Sequence, residues 1–255
     1  MTTTRSARRL LLVLIVPLLP LVSACAGSSD ASEPAPSAPV PVSVATAPIA
    51  RVAPQPLGVT RIARPTVDTP VFSAPGDAAP VQVLPATTEF GSLLALVVLD
   101  ERADGWLNVQ LPTRPNESTG WIRGDGVSVR DVTVAVYVDV AARRLTVTDR
   151  GVTVLETPVA VGAPATPTPA GRFFVVDKLI TQDPAGSYGP FALGLSAHSE
   201  VLTDFAGGDG QVGIHGTNQP ESIGNNVSNG CVRVSNDIAV RLNELLPLGT
   251  PVVVT

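Results

Sequence analysis

Val212-Gly213-Ile214-His215-Gly216-Thr217 and, further along, Ser228-Asn229-Gly230-Cys231-Val232-Arg233 are the two stretches on which the reading of this chain turns. Each is a short apolar strand edge that meets a glycine, so each sets a reactive side chain where strand becomes loop. Glycine there permits close backbone approach and dihedrals that other residues avoid. The segment between them, Asn218 to Val227, is polar and carries Pro220, Gly224, Asn225 and Asn226, long enough to fold the two ends together. Closeness matters because a free cysteine is mostly protonated at neutral pH and the thiolate is the nucleophile. Cys231 is therefore the candidate nucleophile and His215 its candidate general base and acid. Backbone N–H groups around Asn229, Gly230 and Cys231 are candidates for an oxyanion site.

The text around these stretches reads as β. Val134, Val136 and Val138 alternate with Ala135, Tyr137 and Asp139, and a turn at 141–143 leads into Leu145 to Thr148. Further strands are expected over Val152 to Val161, Phe173 to Leu179 and Pro251 to Thr255. One helix is expected, capped by Ser235 or Asn236 and running through Leu246, with Ile238, Leu242, Leu245 and Leu246 on its apolar face. Pro247 and Gly249 end it. Upstream, from about Arg61 to Arg130, short runs at Val81 to Leu84, Leu93 to Leu99 and Trp106 to Leu111 alternate with turns at 75–77 and 104–105.

Ile214-His215-Gly216-Thr217 followed by Ser228-x-Gly230-Cys231-Val232-Arg233 resembles the signature of the L,D-transpeptidase catalytic family, of YkuD-like fold. Thr168-Pro169-x-Gly171-x-Phe173 matches that family's strand entry, in the same chain order. The resemblance covers about residues 131–255. It implies a β-rich catalytic domain with one C-terminal helix, acting on peptidoglycan stem peptides. Cys231 would attack the carbonyl of the third stem residue, expelling terminal D-alanine, and an amine of a second stem would take the acyl group. By the same resemblance the imidazole is oriented by a backbone carbonyl or small hydroxyl, with Gly216 and Thr217 the nearest candidates. Ser228 would fix the loop, and Arg233 would clamp a substrate carboxylate or brace the loop. Tyr188, in Tyr188-Gly189-Pro190-Phe191, stands in a stretch similar to one bordering the family's cleft. His198 is either on the acceptor side of the site or structural. Many family members carry His where this chain has Asn229.

Trp106-Leu107-Asn108-Val109 and Gly120-Trp121-Ile122 resemble strands of bacterial SH3-like wall-binding domains, which would make residues 59–130 a small SH3-like β-barrel. Its tryptophans are either core or part of a ligand groove.

The start of the chain differs. Arg5, Arg8 and Arg9 precede an apolar run, Leu10 to Val22, interrupted by Pro17 and Pro20 and too short for a spanning helix. Val22-Ser23-Ala24-Cys25 resembles a bacterial lipobox, so residues 1–24 are expected to be a lipoprotein signal peptide and Cys25 the lipidated residue. A Pro-, Ala- and Ser-rich tether over 25–58 follows. The expected location is the outer face of the cytoplasmic membrane, lipid-anchored in the cell envelope. With Cys25 lipidated, Cys231 is a lone thiol, since the chain has two cysteines.

Seventeen Lys and Arg against 22 Asp and Glu give a net charge of −5, without the basic footprint of a nucleic-acid binder. One thiol and two histidines do not make a structural zinc site, and no cofactor is expected. The leading expectation is a peptidoglycan L,D-transpeptidase, a cysteine acyltransferase. An L,D-carboxypeptidase, with water as acceptor, shares its first half-reaction. A non-catalytic wall-binding lipoprotein is the reading from another class. If His215 is the base, turnover falls in acid, and a rate unchanged from pH 8 to pH 5 would count against it.

Overall fold

The computed structural model describes residues 58–204 and 207–255. The expected signal peptide, Cys25 and nearly all of the Pro-rich tether lie outside the described residues.

The first strands are β1 (Thr60–Arg64), β2 (Thr69–Val71), β3 (Gln82–Leu84), β4 (Leu96–Glu101), β5 (Trp106–Gln110), β6 (Thr119–Arg123) and β7 (Ser128–Val132). Five of them form an antiparallel sheet in the order β6-β5-β4-β1-β7, and β2 pairs with β3. The expected strand from Leu93 begins later, at Leu96, because Leu93 and Leu94 close a hairpin on Thr87 and Ala86. Trp106 is buried, edge-on to Phe72 with ring centroids 5.2 Å apart, whereas Trp121 is half-buried. The two tryptophans therefore differ: Trp106 belongs to the core.

The second run comprises β8 (Val134–Asp139), β9 (Arg144–Asp149), β10 (Val152–Pro158), β11 (Val161–Gly162), β12 (Gly171–Ile180), β13 (Phe191–His198), β14 (Gln211–His215), β15 (Asn226–Ser228) and β16 (Val232–Arg233). The helix α1 (Asn236–Leu245) and a last strand, β17 (Pro251–Val254), complete it. Eight of these strands make one sheet, β10-β9-β8-β17-β12-β13-β14-β16. Among the described residues the architecture is mainly β with one α-helix, as the residue pattern predicts. The expected strand over Val152 to Val161 divides: its pairing with β9 runs to Pro158, and the Val159 N–H still reaches the Arg143 carbonyl at 2.9 Å before the chain turns away. Beyond it Ala160 bridges to Arg233 and β11 pairs with β15 in parallel. That departure carries the chain across to the edge strand that follows Cys231.

Alternation along β12 joins the two halves. Phe173 and Val175 point into the core around the helix, with Leu193, Leu195, Ile214, Val232, Leu242 and Leu246. Phe174 and Val176 point the other way, into the core of the five-stranded sheet with Ile62, Leu96, Val109 and Ile122. A strand's side chains alternate between its two faces, so one strand seals both cores. Polar contacts add to this: Gln110 Nε2 donates to the Arg172 carbonyl at 2.5 Å, and Arg172 N donates to Glu117 at 3.0 Å.

Candidate active site

Strands β14 and β16 run parallel, with Ile214 beside Val232 and His215 beside Arg233. Ile214 and Val232 are buried in the helix-side core. Their neighbours along each strand must face the opposite way. Cys231 thus stands next to Gly213, whose N–H donates to Sγ at 3.4 Å. His215 is the next side chain on that face of β14. Both residues line one cavity of about 890 Å³, together with Tyr188 and Asn229.

The imidazole is fixed by its own turn. Its Nδ1 lies 2.6 Å from the Gly216 carbonyl oxygen. A carbonyl only accepts, so Nδ1 carries the proton and Nε2 is left bare as a proton acceptor. Of the two expected orienting groups, Gly216 makes this contact. Thr217 does something else: its N–H donates to Asn236 Oδ1 at 2.8 Å, and its hydroxyl accepts from Gln219 N at 3.0 Å. Tyr188 lies over the imidazole, ring centroids 4.6 Å apart and planes inclined by 50°.

The thiol sits on a loop braced from within. Ser228 Oγ donates to the Cys231 carbonyl at 2.5 Å and accepts the Gly230 N–H at 3.2 Å. Ser228 therefore ties the loop together. Gly230 has φ +117°, a conformation that a side chain would strain. Thr168, buried, donates to the Gly230 carbonyl at 2.8 Å and accepts the Gly162 N–H at 2.9 Å. The Thr-Pro-x-Gly motif gives no local sign of a role for this hydroxyl. Of the two expected caps, Ser235 holds the N-cap position, with its carbonyl accepting the Ala239 N–H, and Asn236 instead holds Thr217.

Burial sets the electrostatics. It holds the His215 imidazole down to about 4, with the Arg233 charge acting in the same direction and the Gly216 carbonyl against it. Burial pushes the Cys231 thiol up, opposed by the Gly213 N–H and by Arg233. Both shifts favour the uncharged forms, a thiol and a neutral imidazole. Arg233 Nη1 donates to Gln219 Oε1 at 3.0 Å, a bracing contact on the intervening loop. His198 does not line the cavity. It is buried behind the wall, with Nε2 3.0 Å from Asp209 and its backbone N and O both bonded to Asn116.

Residues 133–254 match the family model YkuD, described as the L,D-transpeptidase catalytic domain. The chain is similar to the putative L,D-transpeptidase YkuD of Bacillus subtilis, 34% identical over 119 residues, which is 47% of this chain and 64% of that protein. It resembles the Bacillus licheniformis protein of the same name to 36% over 120 residues, again 47% and 64%. The chain thus spans just under two thirds of the length of these relatives. Among solved structures, the catalytic domain of the E. faecium L,D-transpeptidase is 28% identical, covering 48% of this chain and 96% of that one at a TM-score of 0.35. The L,D-transpeptidase from Mycobacterium smegmatis is 19% identical over 73% and 99%, TM-score 0.40.

Proposed function

We infer, from the match of residues 133–254 to the L,D-transpeptidase catalytic domain family and from the cavity's chemistry, that this chain is a peptidoglycan L,D-transpeptidase working through a Cys231 acyl-enzyme. The observation that carries the reading is that Cys231 and His215 share one face of adjacent parallel strands and one cavity.

In the proposed reaction His215 Nε2 takes the thiol proton as Sγ attacks the carbonyl carbon of the third stem residue. Both groups begin neutral, so proton transfer and attack proceed together. The Gly230 N–H is engaged with Ser228, which leaves the N–H groups of Asn229 and Cys231 to receive the oxyanion. On collapse the C–N bond breaks, the imidazolium returns its proton to the departing D-alanine amine, and a thioester remains. A side-chain amine of a second stem then attacks that thioester. His215 accepts the amine's proton and returns it to the sulfur, releasing a link between two third-position residues. Arg233 favours the thiolate throughout, since it lowers the thiol's proton affinity. We further propose that lipid on Cys25 anchors the protein at the outer face of the membrane, where its substrate lies. Loss of lipid labelling in Cys25→Ala would be its signature.

Two measurements test the enzymatic reading. Intact mass after incubation with a carbapenem should rise by one adduct in the wild-type protein and not in Cys231→Ala. With disaccharide-tetrapeptide as substrate, new cross-linked dimers are expected. Tripeptides alone, without dimers, would make the protein an L,D-carboxypeptidase instead.

A further inference from the structure

The row of residues across the sheet that contains Cys231 can be followed to its far side. Cys231 stands beside Gly213, Gly213 pairs with Gly194, and Gly194 pairs with Asp177 on β12. Paired residues project from the same face of a sheet. The backbone between the thiol and Asp177 is therefore two glycines wide, and at its far end the Gln211 side chain reaches over it, Nε2 donating to the Leu195 carbonyl at 3.1 Å and to Asp177 at 3.5 Å. Neighbouring strands lie about 4.8 Å apart, so three spacings place Asp177 roughly 14 Å from the thiol's position.

At that far end stands a hairpin of the five-stranded half, Thr88 to Ser92. It is closed on itself by Thr88 N to Ser92 O at 2.8 Å and Gly91 N to Thr88 O at 2.9 Å. Both of its flanks are fastened to β12. Thr88 Oγ1 donates to the buried Asp177 carboxylate at 2.5 Å, and Lys178 N donates to Ser92 Oγ at 3.4 Å. The tip between these fastenings, Glu89 and Phe90, lines the same cavity as Cys231 and His215. Phe90 is 52% exposed and Ile180, also lining the cavity, is 80% exposed. Two large, partly exposed apolar side chains thus stand at the rim of the cavity, one of them on a hairpin pinned at both sides.

We propose that Phe90 is a specificity-determining residue, which packs, with Ile180, against an apolar part of the stem peptide remote from the scissile bond. The inference rests on the function proposed above for its choice of substrate. The upstream β half thereby belongs to the substrate site, beyond any role as a spacer or wall-binding module. Binding energy gained at such a remote contact adds to the hold on long substrates and is absent for short ones.

The test uses the full-length protein carrying Cys231→Ala, so that binding is read without turnover. Disaccharide-tetrapeptide is titrated by calorimetry into Cys231→Ala with and without Phe90→Ala. Loss of a half-buried phenyl contact is expected to weaken binding about tenfold, and Phe90→Leu should recover most of it. In a Phe90→Ala protein that retains Cys231, alkylation by iodoacetamide, which is too small to reach position 90, should proceed at the wild-type rate. Equal affinities with and without Phe90, or no binding at all, overturn the proposal. A slowed alkylation would mean that Phe90 merely supports the fold, and overturns it too. Phe90-dependent binding by a protein that makes no cross-links would instead sustain this site while removing the transpeptidase reading.

Discussion

The hydroxyl of Thr168 donates to the carbonyl of Gly230 at 2.8 Å, tying the turn before β12 to the residue preceding the cysteine. The same oxygen accepts the Gly162 N–H, so one buried hydroxyl satisfies two backbone groups. Thr168→Val keeps the shape and removes both bonds, leaving a buried donor and a buried acceptor without partners. We expect a loss of about 1–3 kcal/mol in urea unfolding. Because the carbonyl it holds is adjacent to Cys231, we also expect carbapenem acylation to slow by about tenfold or more. Thr168→Ser should keep both. A valine variant that acylates at the wild-type rate would show that the loop holds its shape without this tether.

The pH behaviour follows from burial of His215. Its imidazole titrates at about 4 in the folded protein, against about 6.5 for an unperturbed histidine. Between those values the unfolded chain binds a proton that the folded chain does not. This group's contribution to stability is therefore complete above about pH 6.5 and is lost as pH falls toward 4, by roughly 3 kcal/mol. The acid limb of turnover should lie near pH 4, so a rate that is flat between pH 8 and pH 5 fits His215 as base, contrary to the window expected for an ordinary histidine. NMR titration of the ring carbons checks this directly. A midpoint above 6 would mean that the ring is far better solvated than the structure has it.

The split between what the residues foretold and what they did not follows the range of the interactions. The Gly213–His215 and Gly230–Arg233 segments were legible because strand edge, glycine and reactive group all lie within a few residues. The helix was legible from the spacing of Ile238, Leu242 and Leu246. The break at Pro158 was missed because an apolar run, Val159 to Val161, continues past it, and only the partner strands decide where such a run goes. Thr88, Phe90 and Asn236 gave no local sign of a role. Each reaches the site through partners distant in sequence, Asp177 for Thr88 and Thr217 for Asn236. His198 invited a site role as one of two histidines, yet its surroundings place it behind the wall.

The crossing beside the imidazole is tight. Gly189, next to Tyr188, has φ +62°, and a Cβ there would come within 2.3 Å of Asn236 Oδ1 and 2.7 Å of the Gly216 Cα. Gly189→Ala must displace Asn236, which holds Thr217, or Gly216, which holds His215. Backbone strain and displacement together should cost about 2–4 kcal/mol and move Tyr188 off the ring. The measurable result is a lowered melting temperature with acylation reduced by more than tenfold. An alanine variant as stable and as reactive as the wild type would mean that the two loops are separated by more space than the structure shows.

A strand that seals two cores makes a claim about cooperativity. Phe174 is fully buried in the five-stranded half although it belongs to β12, whose other face carries the helix-side core. Phe174→Ala should cost about 3–5 kcal/mol, the usual range for emptying a buried phenyl site. Since β12 cannot leave one core without disturbing the other, that loss should be felt across both halves. Tryptophan fluorescence reports the upstream half through the buried Trp106, and protection of Cys231 from alkylation reports the cavity. In urea the two signals should change at one midpoint in the wild-type protein, and Phe174→Ala should shift both by the same amount. If Trp106 fluorescence shifted while Cys231 protection kept its original midpoint, the halves would be independent folding units, and a hairpin of one could not hold a fixed wall for the cavity of the other.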